Sequence, residues 1–231
     1  DLRLFNSSFM VTALDVSSQY LVHGDKGGQI GVWRWSAPHG NVSWKGMLQA
    51  DKLMVHALVL LPLFKMLSAS DDGMLRLWDL EAMQTERSWR ANNGTVVALA
   101  ADCEQRVVTS GYDVSGIREM WTLQLWDVEA GRLISSSTRF GTVTSLSFST
   151  SLGLLFLGGA DGRIFALSLP SWEVEHALNT RARAVHALHA HGIGYLLSAG
   201  SDNRVTRWEC TETACESEVA KSPELATVGK M

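Results

Sequence analysis

The chain has 231 residues, 46% of them hydrophobic and 19% charged, with a formal net charge of −4. That length buries one large core or two small ones, and the mild acidic balance gives no global drive toward nucleic acid or an anionic membrane. The most apolar stretch, Val55 to Leu63, is broken by His56 and Pro62; it falls far short of the roughly 20 residues a membrane helix needs, so no membrane insertion is expected.

From residue 11 onward the chain repeats itself. Val11-Thr12-Ala13-Leu14 predicts a short strand. The same Val-x-Ala/Ser-Leu string returns at Val55, Val96, Val143 and Val185, at intervals of 44, 41, 47 and 42 residues. Each copy is followed by an apolar pair, small residues and an aspartate: Leu21 to Asp25, Leu67 to Asp72, Val107 to Asp113, Phe156 to Asp161 and Leu197 to Asp202. Most units then close on a tryptophan: Trp33, Trp78, Trp126 and Trp208. Short segments rich in Val, Leu, Thr and aromatics read as strands. Asp72-Gly73, Asp161-Gly162 and Asp202-Asn203 suit tight hairpin turns, because Gly and Asn tolerate positive φ. A weaker fourth strand is expected at Gln84 to Trp89, Leu133 to Ser137 and Glu173 to Ala177. No long segment carries a helical period. Four strands in roughly 40–45 residues, repeated, describe an all-β propeller with antiparallel blades. The propeller is assigned to residues 1–210, with blades at about 10–50, 51–92, 93–140, 141–182 and 183–220. Residues 221–231 are left as an exposed tail or the start of a further blade.

Ser70-Asp71-Asp72-Gly73-Met74-Leu75-Arg76-Leu77-Trp78-Asp79-Leu80 resembles a near-consensus segment of the WD-repeat family, as does Leu125-Trp126-Asp127-Val128-Glu129-Ala130-Gly131. The resemblance covers about residues 10–210. It implies that Asp72, Trp78, Asp113, Trp126, Asp161, Asp202 and Trp208 are structural blade residues, the aspartates bonding backbone N–H groups of their own blades. Departures are visible. No unit has the Gly-His dipeptide before its innermost strand, so the family's hydrogen-bonded set should be incomplete. Leu167 stands where the fourth Trp belongs, and Val114 to Trp121 is an insertion. Such propellers usually close with about seven blades, within the roughly 4–8 known. Five repeats and a start at Asp1 leave three readings: a piece of a larger propeller, a five-bladed one, or further blades diverged beyond recognition.

The fold hosts many roles, so function must come from sites. Just before the innermost strands lie Lys52, Arg90, Arg139, Arg181 and Arg183, a partial basic rim. Such a rim would dock an acidic or phosphorylated peptide, with nucleic acid a less favoured ligand. The inserted hairpin offers Ile117, Met120 and Trp121 as a protein contact. Trp44 and Trp89 are candidate peripheral anchors. His56 and His186 share one repeat position beside the channel but lack matched metal ligands, so no metal site follows. No catalytic triad string, nucleophile elbow or phosphate loop is present. Cys103, Cys210 and Cys215 form no disulfide framework and are read as reduced thiols of an intracellular protein, cytoplasmic or nuclear. The expected role is a non-catalytic scaffold in a multi-subunit complex, without a cofactor. Alternatives are a ubiquitin-ligase substrate receptor, although the docking string of that group is absent, and a propeller binding RNA or phosphate.

Overall fold

Period-two apolar alternation, cut at short intervals by Gly, Asp and Asn, leaves hairpins as the natural way to pair the backbone. The computed structural model describes residues 9–36, 41–102, 105–115, 118–191, 194–211 and 214–218. They form five four-stranded antiparallel sheets, the blades of a propeller. The first blade is β1 (Val11–Val16), β2 (Tyr20–Asp25), β3 (Gln29–Ser36) and β4 (Asn41–Gln49). The second is β5 (Val55–Leu61), β6 (Lys65–Ser70), β7 (Met74–Asp79) and β8 (Gln84–Arg90). The third is β9 (Val96–Ala101), β10 (Arg106–Ser115), β11 (Arg118–Asp127) and β12 (Arg132–Ser137). The fourth is β13 (Val143–Ser149), β14 (Leu154–Gly159), β15 (Arg163–Ser168) and β16 (Glu173–Asn179). The fifth is β17 (Val185–His191), β18 (Tyr195–Gly200), β19 (Val205–Cys210) and β20 (Cys215–Glu218). Residues 1–5 and the tail 221–231 lie outside the described residues.

The sheets pack face to face in chain order, through the innermost strands β1, β5, β9, β13 and β17. The first–second seam is filled by Val22, Ile30, Leu58, Met66 and Trp78. Trp126 fills the second–third seam, Leu155, Leu157 and Leu167 the third–fourth, and Phe156, Ile164 and Trp208 the fourth–fifth. No seam of this kind joins β17 to β1 among the described residues. The outer faces of the two end blades are correspondingly open. Ile30, Leu75 and Ile164 are 0% exposed, whereas Val205, at the same register position, is 58% exposed. Leu14 is 58% exposed, against 8% for its counterpart Leu58.

The Val-x-Ala/Ser-Leu string has a structural meaning that periodicity alone did not reveal. In blades one, two, four and five its first three residues hold a β-bulge, which leaves the x residue outside the ladder. Thr12 and Thr144 occupy that position. Thr12 Oγ1 donates to the carbonyl of Val55, 2.6 Å away in the next blade, and Thr144 Oγ1 donates to the carbonyl of Val185. Two further bonds cross the same seams: Leu60 N–H donates to Asp15 (2.7 Å) and Ala190 N–H to Ser147 Oγ (2.8 Å).

One sequence expectation is corrected here. Cys210 and Cys215 are joined in a disulfide rather than held as free thiols, because β19 and β20 place them directly opposite each other, with Cα atoms 4.1 Å apart. Cys103 lies outside the described residues.

Candidate partner-binding surfaces

A propeller presents its connections on two rims, with the rigid sheets between them. On the rim that carries the aspartate turns, four aspartates bind their own hairpins. Asp25 Oδ1 accepts from the N–H groups of Gly27 (2.8 Å) and Gln29 (2.9 Å), and Asp72 Oδ1 from Met74 N–H (2.9 Å). Asp161 and Asp202 accept from Arg163 and Arg204 N–H at 3.1 and 3.2 Å. Burial acts to raise the Asp72 carboxyl, but bonds from Arg76, Ser70 and Met74 outweigh it and hold it below its ordinary value. Asp113 differs: it lies inside β10, opposite Met120, because the insertion lengthens both strands and moves the turn away. It is therefore not a turn aspartate.

The reduced hydrogen-bonded set is visible in three blades. The indole N–H of Trp78 donates to Ser68 Oγ (2.9 Å), that of Trp126 to Thr109 Oγ1 (3.3 Å) and that of Trp208 to Ser198 Oγ (2.8 Å). The fourth blade places Leu157 and Leu167 at these two positions, and the first places His23 against Trp33 with rings 4.7 Å apart. Desolvation lowers the His23 pKa, only partly opposed by the charge of Asp25.

The basic side chains on this rim are not equivalent. Lys52 is exposed, and its own N–H is held by Asp51 at 2.7 Å. The Arg90 guanidinium donates to the carbonyls of Asp72 (3.1 Å) and Asn92 (3.4 Å), so it ties down a turn. Arg139 stands 6.0 Å from the Phe140 ring centre. Arg181 and Arg183 are exposed. Arg204, which sequence reasoning missed because it sits within a hairpin turn, shares a cavity of about 90 Å³ with Arg181, Thr180, Asp202 and Thr206.

The inserted hairpin is an extension of β10 and β11. Val114 and Met120 are half exposed, whereas Trp121 packs on Tyr112 with rings 5.5 Å apart. Ile117 lies outside the described residues. The Tyr112 hydroxyl lies 3.1 Å from Thr95 Oγ1, which donates to Asp71 at 3.0 Å, and His56 Nε2 lies 2.6 Å from the same Asp71 oxygen. His56 is thus held within its blade, while His186 is exposed. Trp44 is 53% exposed; Trp89 is half-buried and packs in the second–third seam.

The opposite rim carries a feature the sequence did not announce. Between the first and second blades lies a cavity of about 350 Å³, lined by Tyr20, Leu60, Leu80 and the turn Pro62-Leu63-Phe64. Leu63 and Phe64 both hold left-handed backbone, with φ of 59° and 61°. Such turns favour Gly and Asn, and branched or bulky residues there cost roughly 1–2 kcal/mol each. Even so, Leu63 is 73% exposed and Phe64 42%. Beside them Tyr20 donates to Glu81, which also pairs with Lys45 at 3.1 Å. The only sequence signal was the apolar run ending at Leu63.

With the geometry in hand, comparison with known proteins places one repeat in a family. A family model described as "WD domain, G-beta repeat" matches residues 48–79, the span of β5 to β7 with Asp72 and Trp78. Residues 48–79 are thus one WD repeat, set in a five-bladed β-propeller. A chain of the crystal structure titled "Crystal Structure of Mitotic Checkpoint Complex" superposes on this propeller with a TM-score of 0.74 at 16% identity, a likeness of fold. The match covers 93% of the present chain and 65% of that structure's chain. No curated protein matches the sequence.

Proposed function

We propose that this WD-repeat propeller is a non-catalytic scaffold that holds partner proteins within a multi-subunit complex. The supporting observation is the turn Pro62–Phe64: two large apolar side chains kept in unfavourable left-handed backbone, exposed, beside a cavity of about 350 Å³. Stability alone would favour Asn or Gly there, so an exposed Leu and Phe are best explained by a contact they make. A rigid sheet behind the turn preorganises that contact and lowers the entropy lost on binding.

The test is quantitative co-purification of the wild type and a Leu63→Asp/Phe64→Asn variant. Asp and Asn tolerate left-handed backbone better, so the variant should melt at or above the wild-type temperature. Its stoichiometric partners should fall at least tenfold. Unchanged partner recovery in a folded variant would overturn the assignment of this turn. Absence of any stoichiometric partner of the wild type would overturn the scaffold reading itself.

A further inference from the structure

The cavity on the aspartate-turn rim of the fifth blade exists because of one register position. In the second blade, Arg76 stands opposite Ser68 and reaches back to Asp72, with Nη2 2.5 Å from Oδ2. In the fifth blade the same position, opposite Ser198, holds Thr206. Threonine is too short to fill the space or to neutralise Asp202. The opening that results is lined by Asn179, Thr180, Thr206 and Trp208, with Arg181 from the preceding connection and Arg204 from the turn. Both arginines are exposed, and neither holds an ion pair among the described residues. Arg183 is exposed two residues from Arg181.

Two arginines, whose guanidinium groups are planar forks of donors, therefore line a cleft with room for one small anionic group. Asp202 lies in the same lining, so a singly charged carboxylate meets nearly as much opposition as attraction. A phosphate carries about −1.5 to −2 charges and three acceptor oxygens, enough to engage both arginines despite Asp202. At about 90 Å³ the cleft takes a single head group, not a stacked base or a sugar.

We propose that the Arg181–Arg204 cleft binds the phosphate of a phosphorylated serine or threonine in a partner protein. The inference rests on the scaffold reading but uses a different rim, so each can fail separately. The experiment compares binding of the full chain to a degenerate phosphoserine/phosphothreonine peptide library, its unphosphorylated twin, its glutamate-substituted twin and a single-stranded RNA oligonucleotide. Fluorescence anisotropy at fixed salt is the readout. Phosphorylated peptides should bind at least tenfold more tightly than both twins and the RNA. Arg181→Gln and Arg204→Gln should each remove most of that margin, whereas Arg163→Gln, on the fourth blade, should leave it intact. Thr206→Arg rebuilds the second blade's arrangement and should close the cleft without lowering Tm, while leaving partner recovery through Leu63 and Phe64 unchanged. Equal affinity for phosphorylated and unphosphorylated libraries would overturn the proposal. So would tighter RNA binding, or a phosphopeptide preference that survives both arginine substitutions and Thr206→Arg.

Discussion

In the second blade Trp78 gives its indole N–H to Ser68; in the fourth the same two positions hold Leu167 and Leu157, both fully buried. The first pair combines a large ring with a satisfied polar bond, and the second fills its space with aliphatic surface and leaves nothing to satisfy. Both pairs are buried. The pairing, rather than tryptophan itself, is therefore what the fold requires: a donor must arrive with its acceptor, and removing one calls for removing the other. The first blade offers a third solution, His23 against Trp33.

Mixing the two solutions should be costly. Leu157→Ser would remove buried volume and add a hydroxyl with no indole to receive, and should destabilise by about 3–5 kcal/mol in denaturant unfolding. A loss below about 1 kcal/mol would mean the fourth-blade seam is looser than described. Ser68→Ala strands the Trp78 N–H and should cost about 1–3 kcal/mol. The double variant Ser68→Leu/Trp78→Leu copies the fourth blade, so its cost should fall below the sum of the two single substitutions by roughly 1 kcal/mol or more. Additive costs would break the comparison.

The histidine solution should respond to acid. Burial depresses the His23 pKa, so the folded chain binds fewer protons than the unfolded chain below the ordinary value of 6.5. Stability should then fall as pH drops through 6.5 toward the lower folded pKa, and be fully present above it. His23→Asn should flatten that part of the stability profile; an unchanged slope would show that another group carries it. The smallest effect is expected at Leu14→Ala, within about 0.5 kcal/mol, against about 2–5 kcal/mol for Leu58→Ala at the same repeat position. The two leucines differ in whether a neighbouring sheet covers them. Equal losses would mean that a covering surface meets the first blade as well.

Strand order, hairpin turns and the closing tryptophans were legible because each leaves a local trace: period-two alternation, Gly or Asn after Asp, and a recurring spacing. What was hidden depends on contacts across blades. The bulge at Thr12 and Thr144 looks like an ordinary strand position until the carbonyl of the next blade is seen beneath it. Asp113 matched the turn pattern in sequence, yet the longer strands carried it into the sheet. Leu167 was noticed as a missing tryptophan, but its partner Leu157 was not, since register links positions ten residues apart only once the hairpin is built. Arg90 and Arg181 looked alike as rim cations; only their surroundings separate a turn clamp from an arginine that lines a cleft. The turn at Leu63 and Phe64 defied reading because its backbone is one that sequence statistics assign to other residues.

The order of the seams bears on how the chain is made. Each sheet after the first packs on the sheet synthesised just before it, and hydroxyl groups such as Thr12 wait at the seam for the next valine carbonyl. Long-range closure is not needed for the first seams to form, so a nascent chain emerging at roughly 5–20 residues per second gains a docked blade every few seconds. The ribosome then sets the sequence of assembly, and a pause within one repeat exposes a single sheet face to the cell rather than a whole unfolded domain.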